Sequence, residues 1–384
     1  MAERALAHIE LVHDIEPIEG ADFIELVHCL GWQCVANKGE FKEGDKCVYI
    51  EIDSKVDTTK PVFEFMAKRD GKVKTIKLKG KLSQGLALAL DKFDIDLSKY
   101  KVGDDVTKVL GITKIQTDEE KRLARESQDP RIARAASRHK KFMKSKFGKW
   151  LMRHKFTRNI LLRLLGGKRA KPKAWPDFIT KTDETRIENV PEQLNDKRPL
   201  EVTEKLDGTS TTFFVKRKRG TKYEFGVCSR NVRQLDEKQA CYHEYNIYWA
   251  MAKKYNVEEV LNKLVKMNNY PDHIVLQGES IGKVQGNPYK LDEDDFYAFN
   301  LIIDGRKLDS VAGEYILSEF GIKWVPILQT DFVCPDTMEE MKKLSNGKSV
   351  INTEVLREGC VYRDAENTHS FKNVDPIYLL KHNQ

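Results

Sequence analysis

The sequence predicts a multidomain α+β protein: a small N-terminal β-barrel, a basic helical connector and a larger mixed α+β domain. Three observations carry this reading. Residues 1–110 alternate short apolar runs with glycine turns. Residues 118–165 switch to a helical period among lysines and arginines. Residues 175–384 mix strand and helix patterns without the regular βαβ spacing of a dinucleotide-binding fold. With 384 residues, 40% of them apolar and 33% charged, the chain can bury two or three cores and is not disordered as a whole.

In residues 1–110 the segments FIELVHCLGWQCVANK, KCVYIEI, VKTIKLKG and QGLALAL read as strands, bounded by EGAD, EGD, RDGK and GKLS. Alternation is clearest at Lys46–Ile52, where Cys47 and Tyr49 face opposite to Val48 and Ile50. So many short strands in one small region predict a closed barrel of the OB type, a fold that often binds nucleic acid.

Residues 111–174 form the connector. Phe142, Met143, Phe147, Trp150 and Leu151 recur at spacings of three and four, Ile160–Leu165 adds an apolar patch, and Gly166-Gly167 with KRAKPKAWP ends the pattern. The whole chain is +7, yet residues 121–173 hold 19 Lys/Arg against Glu126 and Asp129 alone, which leaves the rest of the chain at −10. One concentrated basic field on an acidic body attracts a polyanion, either nucleic acid or an anionic membrane surface; the plainer reading is a solvated linker. No apolar run is long enough for stable membrane insertion, and the charged N-terminus lacks a signal peptide's apolar centre. Seven cysteines without a CxxC pair indicate a reducing, intracellular setting with no zinc site. The histidines, His13, His28, His139 and His154 among them, make no metal-spaced cluster.

In residues 175–384, TSTTFFVKRKRG and KYEFGVCSR read as an antiparallel pair, and 236–269 as helical. HIVLQGES, DFYAFNLII and GCVYRD follow as strands, with LDSVAGEYILSEFG as a helix between the last two. The absence of GxxxxGK[ST] speaks against a P-loop enzyme.

The chemistry centres on Glu204-Lys205-Leu206-Asp207-Gly208. In an extended segment Lys205 and Asp207 share one side, and Gly208 permits a tight turn. KxDG alone is weak, but its company is specific. The sequence resembles the covalent nucleotidyltransferase superfamily, which comprises ATP-dependent RNA and DNA ligases and RNA capping enzymes. KLDG at 205–208 resembles motif I, LQGESIG at 276–282 motif III, FYAFNLI at 296–302 motif IIIa, EGCVYR at 358–363 motif IV and SFKNV at 370–374 motif V. CSRN at 228–231 resembles the family's arginine-containing segment through Arg230, with Arg233 close enough to exchange roles. KTDETRIENVP, upstream of the lysine, resembles the lead-in of the bacteriophage-type RNA ligase 2 group. About ten residues follow Lys372, too few for the OB domain that ends DNA ligases and capping enzymes, whereas the barrel here precedes the catalytic region. The resemblance therefore implies an RNA ligase with an N-terminal OB domain (1–110), a basic linker or insertion (111–174) and a C-terminal nucleotidyltransferase domain of ATP-grasp-like ligase fold (175–384).

The roles implied are these. Lys205 is adenylylated by ATP, and Lys372 neutralises the α-phosphate. Asp207, Glu279 and Glu358 hold Mg²⁺, for which Mn²⁺ can substitute. Glu204, Gly208 and the ribose contact of Glu279 complete the nucleotide site, with Phe299 facing adenine and Arg230 at the ribose or a substrate 5′-phosphate. A lysine attacks phosphorus only when neutral, so its pKa, normally about 10.4, is expected to be lowered by neighbouring cations. Motif V departs from the family's KxK: Val374 stands where a second lysine is common, with Lys381 as a distant replacement. The expected partner is RNA with 3′-OH and 5′-phosphate ends, nicked duplex and RNA–DNA hybrid included, handled by a monomer downstream of separate end-processing enzymes. An ATP-dependent DNA ligase and a catalytically inactive nucleic-acid-binding protein are the alternatives.

Overall fold

The structure, a computed structural model, describes residues 5–116, 135, 139–153, 155–165, 175–234, 245–366 and 368–382. Much of the expected helical stretch before residue 139, the linker at 166–174 and the start of the 236–269 helix lie outside them.

The N-terminal strands are β1 (Ala7–Pro17), β2 (Ile24–Cys29), β3 (Trp32–Asn37), β4 (Lys46–Ile50), β5 (Ser54–Lys55), β6 (Ile76–Leu78), β7 (Lys81–Ser83), β8 (Leu86–Ala89) and β9 (Thr113–Lys114). The main sheet runs β3-β2-β1-β4-β8, while β5 pairs β9 and β6 pairs β7. Long β1 serves both halves: residues 7–11 pair with β4, and 12–17 with β2, across an irregularity at Val12/Asp14. The expected closed barrel is thus an OB-like half-barrel. Its open edge, between β3 and β8, is spanned locally by the Gln84 N–H to Gln33 O bond, and by Ser83 Oγ accepting from Val35 N–H. The alternation read at residues 46–52 sorts two cores. Val48 and Ile50 pack with Ile9, Phe63 and Met66, and Cys47 and Tyr49 with Val12, Cys29 and Trp32. Phe63 and Met66 come from a 3₁₀ segment, Pro61–Arg69, that the strand pattern gave no sign of.

Among the described residues the connector includes the short helices Lys140–Lys144, Lys146–Arg153 and Lys155–Leu165. Ser145 breaks the first period: its hydroxyl accepts from Gly148 N–H, an N-cap that starts the next helix. Phe142, Phe147 and Trp150 remain exposed.

Among the described residues the C-terminal region has two sheets. One is β18 (Ile327–Phe332), β10 (Leu200–Lys205), β19 (Gly359–Arg363) and β20 (Ser370–Val374), in that order. The other runs β13 (Arg233–Gln234), β12 (Lys222–Ser229), β11 (Thr209–Arg219), β14 (His273–Ile281), β15 (Asp295–Ile303) and β16 (Arg306–Lys307), with β17 (Lys323–Trp324) parallel to β15. Helices Ile247–Lys254 and Val257–Met267 bury Tyr248, Met251, Leu261 and Leu264 against Phe213, Leu276 and Phe296 of the larger sheet. Asn256, in a left-handed conformation, separates the two helices. The chain passes from β10 to β11 through residues 206–208, so motif I is the crossing between the sheets.

The OB unit docks on this domain through the KTDETRIENVP segment. Gly31 N–H donates to Glu188 O at 2.9 Å, and a Cβ on Gly31 would lie 2.6 Å from the Glu188 Cα. Asn189 receives the Trp32 indole N–H and donates to Glu51 at 2.8 Å. Val374 and Leu379 enter the same core as Trp32 and Cys29. Beside this junction buried His8 lies 2.7 Å from Glu10 and 3.4 Å from Glu51. Burial disfavours its charge, but the bonds and charges of both glutamates outweigh burial and raise the imidazole to about 9. A raised pKa adds stability that is complete below the unfolded value near 6.5 and disappears as pH passes the folded one. The melting temperature is therefore expected to fall between pH 7 and pH 10 by more in wild type than in His8→Gln. Equal falls in a thermal-melt series would refute the assignment.

Candidate active site

Lys205 closes β10, and its register partner in β19 is Gly359, so Glu358 arrives directly beside it. The Lys205 ammonium donates to Glu358 Oε2 at 2.6 Å. Glu279 reaches the same place from β14 of the other sheet, where it pairs with Ser210 and Tyr297. Burial opposes the Lys205 charge, yet Glu358, Asp207 and Glu279 together hold the amine above the ordinary lysine value. In the ligand-free protein the three carboxylates outweigh burial and favour the protonated amine. Burial pushes Glu279 up to about 8, Glu358 and Asp207 adding to the rise while Lys205 and Arg230 oppose it. Such an anionic excess suits a divalent cation with hard oxygen ligands. The three carboxylates are not among the compact metal-ligand groups found among the described residues. A hydrated cation, bound partly through its waters, fits them better than a closed cage.

Asp207 is held from two sides. Its backbone N–H donates to the Tyr289 hydroxyl at 2.7 Å, and its Oδ2 accepts from the Tyr378 hydroxyl at 2.8 Å. Tyr378 comes from helix Pro376–His382, whose short apolar run gave no sign of a site role. Removing that hydroxyl in Tyr378→Phe leaves the ring stack on His382 in place. It is expected to cost about 1 kcal/mol of stability and to slow nucleotide transfer to Lys205 ~10-fold by loosening Asp207. Single-turnover labelling would measure the second effect, and an unchanged rate would remove Tyr378 from the site.

Gly208 is needed for a different reason from the one expected. Its φ is not positive, but a Cβ there would stand 2.4 Å from Ser280 O and 3.1 Å from Glu279 Cγ. The glycine permits close approach of motif I to β14 rather than a left-handed turn.

Glu204 points to the opposite face of β10 from Lys205. It is buried, with Oε2 accepting from Val350 N–H at 2.8 Å and Oε1 without a partner among the described residues. A buried acceptor left open in this way fits a ligand N–H donor. Phe299 lies at a bulge, between the Gly278–Ala298 and Gln277–Asn300 pairs. The buried Arg363 fixes it, donating to Phe299 O at 3.2 Å with its guanidinium 6.0 Å from the ring. Arg363 is itself anchored by Glu184 at 3.0 Å, a carboxylate that Ser370 also contacts.

Lys372 in β20 donates to Asp183 at 3.0 Å, and the other oxygen of Asp183 lies 3.4 Å from Arg230. Burial lowers Lys372 to about 8, with Arg186 and Lys205 lowering it further and Asp183 opposing. Arg233 is committed to Glu224 at 2.5 Å, so of the two arginines it is Arg230 that shares a counter-ion with Lys372. Val374 is buried in the domain junction, which explains why no lysine stands there, and Lys381 is exposed. Sequence reasoning missed Asp183, Glu184 and Arg186 as individual residues; their only signal was the KTDETRIENVP lead-in. Folding also gathers Asp14, Glu16 and His28, and Asp272, His273 and Asp304, into two acid–histidine groups that the spacing of the histidines did not suggest.

An RNA ligase family model matches residues 198–381, and an OB-fold domain model residues 6–90. No curated protein matches the chain. Among solved structures, an apo mutant of Naegleria gruberi RNA ligase is 32% identical with a TM-score of 0.75, the alignment covering 100% of this chain and 99% of that one. The same ligase with PPi is 32% identical at TM-score 0.74, covering 99% of each chain. A mutant of it with ATP and Mn is 31% identical at TM-score 0.75, covering 99% of this chain and 100% of that one.

Proposed function

Because the chain belongs to the RNA ligase family, whose members join RNA ends at the expense of ATP, we propose that Lys205 is the adenylylated nucleophile of a three-step sealing reaction. The observation that carries this reading is the convergence of Glu358, Glu279 and Asp207 on the Lys205 amine, with Lys372 near enough to affect its charge. Lys205 Nζ attacks the α-phosphorus of ATP and expels pyrophosphate, leaving lysyl-AMP. The AMP then passes to a 5′-phosphate, and a 3′-OH attacks that activated phosphorus to release AMP.

Each side chain has a part in this scheme. Lys205 Nζ must lose its proton before attack, and any cation that competes for Glu358, Glu279 and Asp207 removes the charges that keep the proton there. Mg²⁺ held by those carboxylates, with Mn²⁺ as substitute, would supply charge stabilisation at the phosphate. Lys372 neutralises the non-bridging oxygens as charge shifts. Glu204 Oε1 accepts from the base, and Phe299 offers it an aromatic face. The OB unit and the basic connector hold the strand backbone, so binding should weaken steeply with salt.

The substrate is an RNA with prepared 3′-OH and 5′-phosphate ends, nicked duplexes and RNA–DNA hybrids included, sealed by a monomer after separate enzymes have trimmed the ends. The six described cysteines are free and buried, which suits a reducing compartment, and no described helix is long and apolar enough to cross a membrane. The test is incubation of the wild type with [α-³²P]ATP and Mg²⁺, followed by transfer of the label to 5′-phosphorylated RNA. A matched nick series with one terminal ribose changed to deoxyribose separates RNA from DNA ligation. A folded, AMP-free protein that takes no label would favour the binding-module alternative.

A further inference from the structure

The connector carries aromatic rings on its surface. Phe142, Phe147 and Trp150 are 37%, 60% and 50% exposed. Phe147 and Trp150 stack with ring centroids 6.0 Å apart at 16°, and Phe142 meets Phe147 edge-on at 6.4 Å. Local structure builds this cluster. Ser145 ends the first helix and caps the second. Gly148 lets the two close up, since a Cβ there would stand 2.2 Å from Phe142 O. Nine Lys/Arg and no Asp/Glu lie between residues 139 and 165. Three rings gathered in water against their hydrophobic preference, within a stretch of one charge sign, point to an anionic ligand with flat apolar faces.

We propose that Phe147 and Trp150 are a stacking platform for unpaired bases, and that the RNA this protein takes has a single-stranded stretch beside the break. The proposal rests on the ligase reading of the chain and deepens it by naming a class of substrate. Bases in a continuous duplex are stacked on one another, whereas an unpaired base offers a face to an aromatic ring. The lysines and arginines around the rings suit the backbone of the same strand but read no sequence. Reach permits one RNA to use both the platform and the active site. Ten residue steps separate the end of the last connector helix at Leu165 from Trp175, a span of at most ~35 Å. From Trp175 the chain continues to Asp183, which contacts Lys372. Membership of an RNA ligase family favours RNA over the other anionic partner of basic amphipathic helices, a bilayer surface.

Fluorescence anisotropy of the full chain with a labelled single-stranded RNA, and with the same strand in a perfect duplex, tests this across a range of salt. The double variant Phe147→Ser, Trp150→Ser is expected to weaken single-strand binding ~10–100-fold and to leave duplex binding unchanged. The slope of affinity against salt should stay as in the wild type, because the rings carry no charge. Trp150→Phe, which keeps a ring, is expected to retain most of the affinity. Equal single-strand affinities in a folded double variant, or equal losses on strand and duplex, would overturn the proposal. So would a double variant that binds RNA normally but no longer floats with phosphatidylserine vesicles, an outcome that assigns the rings to a bilayer. Should the double variant not fold, the wild type decides by photocrosslinking to bromouridine-substituted RNA. Adducts at Phe147 or Trp150 support the platform, and adducts only elsewhere overturn it. Failure of the ligase reading is a separate result: it shows as a wild type that never forms the Lys205 adduct, whereas failure of the platform leaves that adduct intact.

Discussion

Lys205→Ala is expected to abolish covalent labelling by [α-³²P]ATP and to reduce sealing of 5′-phosphorylated RNA by at least ~10⁴-fold, the scale seen when a covalent nucleophile is removed. Lys372 does not replace it, because its amine is tied to Asp183. The same variant should still join RNA supplied with a pre-adenylylated 5′ end, because the amine is consumed only in forming that end. Denaturing gels read the first effect and a sealing assay the second. A labelled Lys205→Ala protein would move the nucleophile elsewhere, and a variant inactive on pre-adenylylated RNA would indicate a damaged site instead.

Gly208→Ala should be nearly as severe although it adds a single carbon. That carbon would stand 2.4 Å from Ser280 O and 2.8 Å from Ile281 Cγ2, and the first of these is backbone that cannot rotate away. Relief requires β11 and β14 to part at the Thr209–Ser280 pair, next to Glu279. A destabilisation of about 1–3 kcal/mol is expected from overpacking, together with a ~10²-fold slower adduct formation as Glu279 moves off the lysine. Thermal melts and single-turnover labelling measure the two. A variant that labels at the wild-type rate would mean that the glycine serves only the fold.

The candidate residues that the sequence indicated and the fold brings together lie in short, strongly patterned segments. KLDG, LQGES and EGCVYR each join a strand to an acid or amine of the proposed site, so local pattern and chemistry coincide at Lys205, Glu279 and Glu358. The alternation at Cys47–Ile50 likewise sorted two cores correctly, since side chains on a strand must alternate whatever packs on them. Illegible were the contacts made at long range by ordinary residues. Tyr378 looks like any tyrosine in a short helix until folding brings it to Asp207. Arg186 looks like a surface arginine until Trp32 covers it. The open edge of the OB sheet was missed because a strand pattern says how each segment is pleated but not which segment pairs with which.

The pairing of Lys205 with Glu358 joins residues 153 positions apart, and that of Asp207 with Tyr378 spans 171. A ribosome adding ~5–20 residues per second therefore exposes the lysine for roughly 10–30 s before its principal carboxylate has been made. The OB half-barrel can complete its own pairings in that interval, since all of its strands precede residue 115. Its docking face cannot be covered until Val374 and Leu379 emerge. During synthesis the nascent chain thus carries a finished OB unit with one bare apolar face and a lysine without its acids. Reactivity at Lys205 is among the last properties the growing chain acquires, after the strand-holding domain is already in place.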